Sequence, residues 1–170
     1  MLLSEPMNNR VPGRPVGAVV ALLVVGALLG AAAPLSDEAP YPDGYRRWVH
    51  IKSGWIGEGS PAFPRFGGMH HVYANPKAMD GYRRGTFQSG SVMVFDVVET
   101  TPGPGSLVTG ARRQLDVMEK TASGWRYAEF KGDSHTERSV TAAEGAKACA
   151  GCHAKMGVDS VISRLGDAAG

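Results

Sequence analysis

The chain holds only two cysteines, Cys149 and Cys152, with His153 directly after the second and 17 residues to follow. That order of thiol, thiol and imidazole narrows the chemistry sharply. A thioredoxin-like redox pair opens a helix early in a βαβ unit, whereas this pair lies near the end and no βαβ pattern precedes it. A zinc site needs four ligands, usually from two clusters, and no second C-x-x-C or H-x-x-x-H is present. A disulfide at this spacing is strained, and no other cysteine exists to build a framework. The reading that remains is C-x-x-C-H, the attachment signature of a c-type haem: the thiols add across the two vinyl groups and the histidine binds the iron. One covalent haem c is therefore the expected cofactor, with Cys149 and Cys152 as its attachment points and His153 as the proximal iron ligand.

The start of the chain agrees with this. Arg10 and Arg14 flank an apolar and small-residue run of 18 residues, Val16 to Ala33, and small residues around Gly30 to Ala33 offer an A-x-A-like cleavage site. Residues 1–33 are expected to be a signal peptide or an N-terminal membrane anchor formed by residues 16–33. Export suits a protein whose haem is attached outside the cytoplasmic membrane, so the expected location is the periplasm. Residues 34–42, with three prolines and two acids, have the composition of a linker. Residues 43–170 are then one haem-binding domain, long enough for a single core. A net charge of +2, with scattered Lys and Arg, gives no electrostatic footprint for nucleic acid.

The pattern within the domain is α+β, an antiparallel β-sheet core with flanking helices and the haem site on the C-terminal helix. Asp43 can cap a short helix in which Tyr45, Trp48, Val49 and Lys52 recur at three and four residues. Residues 53–68, rich in Gly and Pro, read as loop. Met69 to Ala74 reads as a strand, and Asn75-Pro76 opens a helix that Gly85 ends. Val92 to Glu99 is the strongest strand. Arg112 to Lys120 and Trp125 to Lys131 form a hairpin about the turn Thr121 to Gly124. A helix from Thr141 carries the cysteines, and a last short one covers Val158 to Leu165.

What faces the iron opposite His153 must come from upstream. Met156 lies on the same helical turn as the ligand and cannot cross to the other side. His50, His70, His71, His135, Met69, Met93 and Met118 are the candidates. His70 and His71 are adjacent on a strand, so they point to opposite sides and at most one enters the pocket. Glu144, before the cysteines, is either a proton relay or a carboxylate on the helix surface.

The chain resembles the cytochrome P-460 family in Tyr45-Arg46-Arg47-Trp48 with His50 and Lys52-Ser53, in His70-His71-Val72-Tyr73-Ala74-Asn75, Gly90-Ser91-Val92 and Gly124-Trp125, and in the terminal C-x-x-C-H. The resemblance implies a sheet-rich homodimer with one haem c per chain and an open distal side. Members that oxidise hydroxylamine carry a lysine cross-linked to the porphyrin within G-[ST]-V-x-V-K-[ED]. The matching segment here is Gly90-Ser91-Val92-Met93-Val94-Phe95-Asp96, so Phe95 stands at the lysine position. Lys52 and Lys77 lie near matched segments but not at that position. The chain thus looks like the non-cross-linked branch, cytochrome c′-beta, in which phenylalanines cover the distal face, and Phe66 and Phe95 resemble that pair. The pocket candidates are Phe66, Phe95, His70, His71 and Met93. An apolar lid leaves iron five-coordinate and admits nitric oxide or similar small gases, with a periplasmic partner exchanging electrons. The alternatives are a hydroxylamine or nitrogen-oxide oxidoreductase, and a six-coordinate electron carrier.

Overall fold

The structure, a computed structural model, describes residues 37–165; the expected leader or anchor at 1–33 lies outside them. Five strands form one antiparallel sheet in chain order: β1 (Val49–Ile56), β2 (Gly68–Ala74), β3 (Val92–Gly103), β4 (Ser106–Thr121) and β5 (Gly124–Lys131). Three α-helices accompany it: α1 (Phe63–Phe66), α2 (Pro76–Arg84) and α3 (Ala142–His153). The architecture is α+β, as the pattern predicts. Among the described residues no helix is long and apolar enough to cross a membrane.

Alternation of side chains along each strand divides the core between the two faces of the sheet. On one face Val72, Ala74, Met93, Met118 and Tyr127 meet Ala78 and Met79 of α2, Phe87 and Val161. Facing the other way, Val94, Leu115, Val117, Ala128 and Phe130 bury Tyr45 and Ala39. Ala39 is fully buried and Tyr41 packs edge-on to Phe130. The described part of the expected linker is therefore packed onto the domain.

Three local expectations change. The helix expected over Tyr45 to Lys52 is a 3-10 turn at Tyr45–Arg47, after which the chain enters β1. The apolar spacing there fits either structure, and pairing with β2 decides in favour of the strand. The expected loop at 53–68 contains the rest of β1 and the four-residue α1, whose first turn accepts Pro64. Val158 to Leu165 is not a helix: it folds back on itself through a Val158–Val161 bridge, with Gly157, Asp159 and Ser160 all at positive φ. The helix after Asn75 forms as expected, with the Asn75 side chain accepting from the Ala78 N–H and Gly85 left-handed at its end. The strongest strand extends beyond Glu99 into a long β3–β4 ribbon closed at Gly103–Ser106.

A buried ionic cluster ties the N-terminal turn to the sheet. Asp96 of β3 accepts from Tyr45 Oη, from Arg112 Nε at 2.8 Å and from Arg46 Nη2 at 3.2 Å, while Arg112 Nη2 also donates to Tyr45 Oη at 2.7 Å. Tyr45 and Arg46, two residues of the first matched segment, thus anchor the fold on the face opposite Phe95.

Candidate functional site

The C-x-x-C-H segment is the end of α3, and a capping box starts that helix. The Thr141 hydroxyl accepts from the Glu144 N–H at 3.3 Å, and the Glu144 carboxylate accepts from the Thr141 N–H at 2.8 Å. The Thr141 N–H and then its hydroxyl, both donating to the Glu144 carboxylate, hold that carboxyl below its ordinary range. Glu144 is thus a cap at the exposed start of α3. α3 packs on β5, with Cys149 half-buried against the core and Cys152 exposed. Three residues apart on a helix, the two thiols share one side. Met156 Sδ, just beyond the end of α3, lies 3.9 Å from Cys152 Sγ.

His153 is oriented by its neighbours. Its Nδ1 lies 2.8 Å from the backbone oxygen of Ser160. A carbonyl only accepts, so Nδ1 carries the proton and the lone pair of Nε2 is left for a metal. Tyr127 stands beside the ring, centroids 5.4 Å apart. The Ser160 carbonyl belongs to the folded-back C-terminal turn, where Asp159 (φ 50°) and Ser160 (φ 65°) are left-handed without being glycine. Such residues cost of order 1–3 kcal/mol each and persist only where surrounding contacts hold them. Here Asp159 supplies those contacts. Its Oδ1 accepts from Lys120 Nζ at 2.7 Å, its Oδ2 from the Phe87 N–H at 3.1 Å, and its backbone oxygen from Trp125 Nε1 at 2.9 Å. Burial pushes the Asp159 carboxyl up, but the bonds from Lys120 and Phe87 prevail and its pKa is lowered.

The sheet supplies the opposite wall. Val72, Phe95, Asp116 and Glu129 are successive cross-strand partners from β2 to β5, so they share one face. Phe66 of α1 stands perpendicular to Phe95, centroids 5.7 Å apart, and His70 stacks on Phe95 at 4.7 Å. Burial lowers the pKa of His70, helped by Lys52 and His71, and its Nδ1 is buried without a partner. His71 points to the other face, hydrogen-bonded to Ser53, which also contacts His50. Met69 shares the alternation of His71. Met93 is buried on the Phe95 side, and its sulfur accepts from Tyr82 Oη at 3.4 Å. Met118 is buried in the same cluster. His135 stacks on Tyr41 and pairs with Asp43, on the far face. Of the candidate histidines for a sixth ligand, His70 is the one whose ring stacks on Phe95, while Met93 and Met118 belong to the buried cluster against which Phe95 packs. Lys52 pairs across from Val72, on the Phe95 face, whereas Lys77 is bonded to the Ser89 carbonyl.

Three polar residues of this wall were not anticipated. Asp116 and Glu129 are cross-strand partners on β4 and β5, and Arg65 of α1 donates to Glu129 Oε2 at 2.7 Å and reaches to 4.0 Å from Cys149 Sγ. Burial, then the Glu129 charge, raises the Asp116 pKa, outweighing the Gln114 and Arg65 contacts. The sequence carried one signal: Asp116 and Met118 have the same parity in β4, and a face that includes a buried methionine is not open to water.

The side chains of this site, two thiols on one side of a helix, an imidazole with Nε2 free and an apolar pair opposite, fit a covalent haem. No curated protein sequence matches the chain. The family model described as Cytochrome P460 matches residues 42–163, more than two-thirds of the chain, from just before the Tyr45 turn to just beyond the Ser160 turn. Membership implies a haem cofactor, and on this match the chain belongs to the cytochrome P460 family.

Proposed function

We propose that this is a periplasmic haem c protein that binds nitric oxide or a similar small neutral gas and exchanges single electrons with a partner protein. Cys149 and Cys152 would hold one haem through thioethers, His153 Nε2 would bind its iron, and Phe66 and Phe95 would supply an apolar wall to the pocket. The haem supplies an iron that changes oxidation state and coordinates a diatomic gas. The chain's own residues orient His153 through Ser160 and set the phenylalanine pair against water. The observation that carries this reading is Phe95 at the position of the cross-linking lysine, with Phe66 edge-on 5.7 Å away. A phenyl ring forms no carbon–nitrogen bond to a porphyrin. The family implies a homodimer. Ferrous spectra with and without carbon monoxide test the reading: a gas-sensitive, ordinary haem c spectrum supports it, and a spectrum indifferent to gas contradicts it.

Two observations favour other readings. Lys52 stands on the Phe95 face, so a cross-link made by this lysine would support hydroxylamine or nitrogen-oxide chemistry. It would show as a strongly red-shifted ferrous Soret band. The unpartnered Nδ1 of His70 favours a six-coordinate electron carrier, in which His70→Ala would abolish six-coordination.

A further inference from the structure

The C-terminal turn does more than close the chain. Gly157 to Val161 reverses so tightly that a Cβ at Gly157 would lie 1.8 Å from the Val161 oxygen, and two non-glycine residues are held left-handed within it. The turn is fixed from three separate places. Lys120 lies near the end of β4, Trp125 near the start of β5 and Phe87 after α2, and all three donate to Asp159. Lys120 Nζ lies 5.0 Å from the Trp125 ring centroid, which holds the two donors together. Val161 is buried beyond the turn, and Tyr82 Oη lies 2.6 Å from Ser163 Oγ. The residue whose carbonyl this geometry aims, Ser160, is the partner of His153 Nδ1 at 2.8 Å.

We propose that Asp159 is a positioning residue for the iron ligand. By locking the turn to Lys120, Phe87 and Trp125, it holds the Ser160 carbonyl on His153 Nδ1 and thereby sets the ring's orientation and its electron donation through Nε2. The inference rests on the haem reading above. A second partner of this kind fixes the tautomer of a metal-bound histidine and raises its basicity. A more basic imidazole favours ferric iron, so a loosened turn favours ferrous iron. The turn is joined to the sheet at the β4–β5 hairpin, so Asp159 links the hairpin to the iron ligand in addition to the packing of α3 on β5.

The test uses the haem-loaded protein and the variants Asp159→Ala, Asp159→Asn, Lys120→Met and Trp125→Phe. Acid-acetone extraction first establishes that haem is covalent; if the wild type releases its haem, the haem reading falls and this inference with it. In loaded protein, Asp159→Ala is expected to lower the Fe–His stretching frequency of the ferrous form. It should also shift the ferric–ferrous equilibrium toward ferrous by on the order of tenfold, about 59 mV for one electron. Asp159→Asn keeps an acceptor for the Phe87 N–H and is expected to restore part of both. If Asp159→Ala does not fold, Lys120→Met and Trp125→Phe each remove one tether and are expected to move both readouts in the same direction by less. A purely structural role would lower the melting temperature while leaving band and potential at wild-type values, and that result would overturn the proposal.

Discussion

The rings of Phe66 and Phe95 stand edge to face, 5.7 Å apart at their centroids, joining a four-residue helix to the middle of the sheet. His70 lies on Phe95 in the same stack. The arrangement makes Phe95 the centre of the apolar wall. Phe95→Ala is expected to open it and speed carbon monoxide association with ferrous protein on the order of tenfold, equivalent to about 1.4 kcal/mol in the barrier. Flash photolysis measures this directly. An unchanged rate would mean that Phe95 is core packing and no gate.

The His70 ring occupies space that only a glycine partner across the strands permits. A Cβ at Gly54 would lie 2.5 Å from His70 Cε1. Gly54→Ala is expected to drive the ring outward, relieve the burial that lowers its pKa, and raise that pKa toward the ordinary imidazole range. NMR titration of the ferrous carbon monoxide form, which is diamagnetic, would show the rise.

On the far face, Arg112 and Asp96 form the best-buried ion pair described, with side chains 5% and 2% exposed. Removing Arg112 leaves the buried Asp96 charge with Tyr45 Oη and the largely exposed Arg46 as its remaining partners. Arg112→Met should destabilise the fold by about 3–5 kcal/mol, and adding Asp96→Leu should recover much of the loss. Denaturation midpoints of the two variants check both statements.

Asp116 gives stability a pH dependence of unusual sign for a carboxyl group. The folded protein keeps its proton to higher pH than the unfolded chain does. Between the two pKa values the native state binds more protons, so this contribution is complete below the ordinary carboxylate range and is lost as pH rises through the raised, folded value. Asp116→Asn should flatten the stability curve over that interval in denaturation experiments at stepped pH. A curve as steep as that of the wild type would assign the slope to other groups.

The helix bearing the cysteines, the helix after Asn75 and the three strands at 69–74, 92–99 and 125–131 were legible because period, cap and turn residues agree there. Tyr45 to Ile56 was not: its apolar residues suit a helix as well as a strand, and only pairing with β2 separates them. The Asp159 turn was hidden because its left-handed residues are not glycine and depend on partners 34 to 72 positions away. The apolar half of the site was readable through the matched segments. Its polar half was not, because Leu115 and Val117 carry the apolar alternation of β4 and Met118 alone hints that the Asp116 face is covered as well. The sequence could say that at most one of His70 and His71 enters the pocket; in the structure His70 is the one that stacks on Phe95.

The most direct measurement is the intact mass and visible spectrum of the protein exported together with haem-maturation machinery, recorded as ferric, ferrous, and ferrous with carbon monoxide. The account predicts a mass increased by one haem that survives acid acetone, lost in the Cys149→Ala, Cys152→Ala double variant, and an ordinary haem c spectrum that shifts with the gas. Extractable haem, or a strongly red-shifted ferrous Soret band, would contradict it.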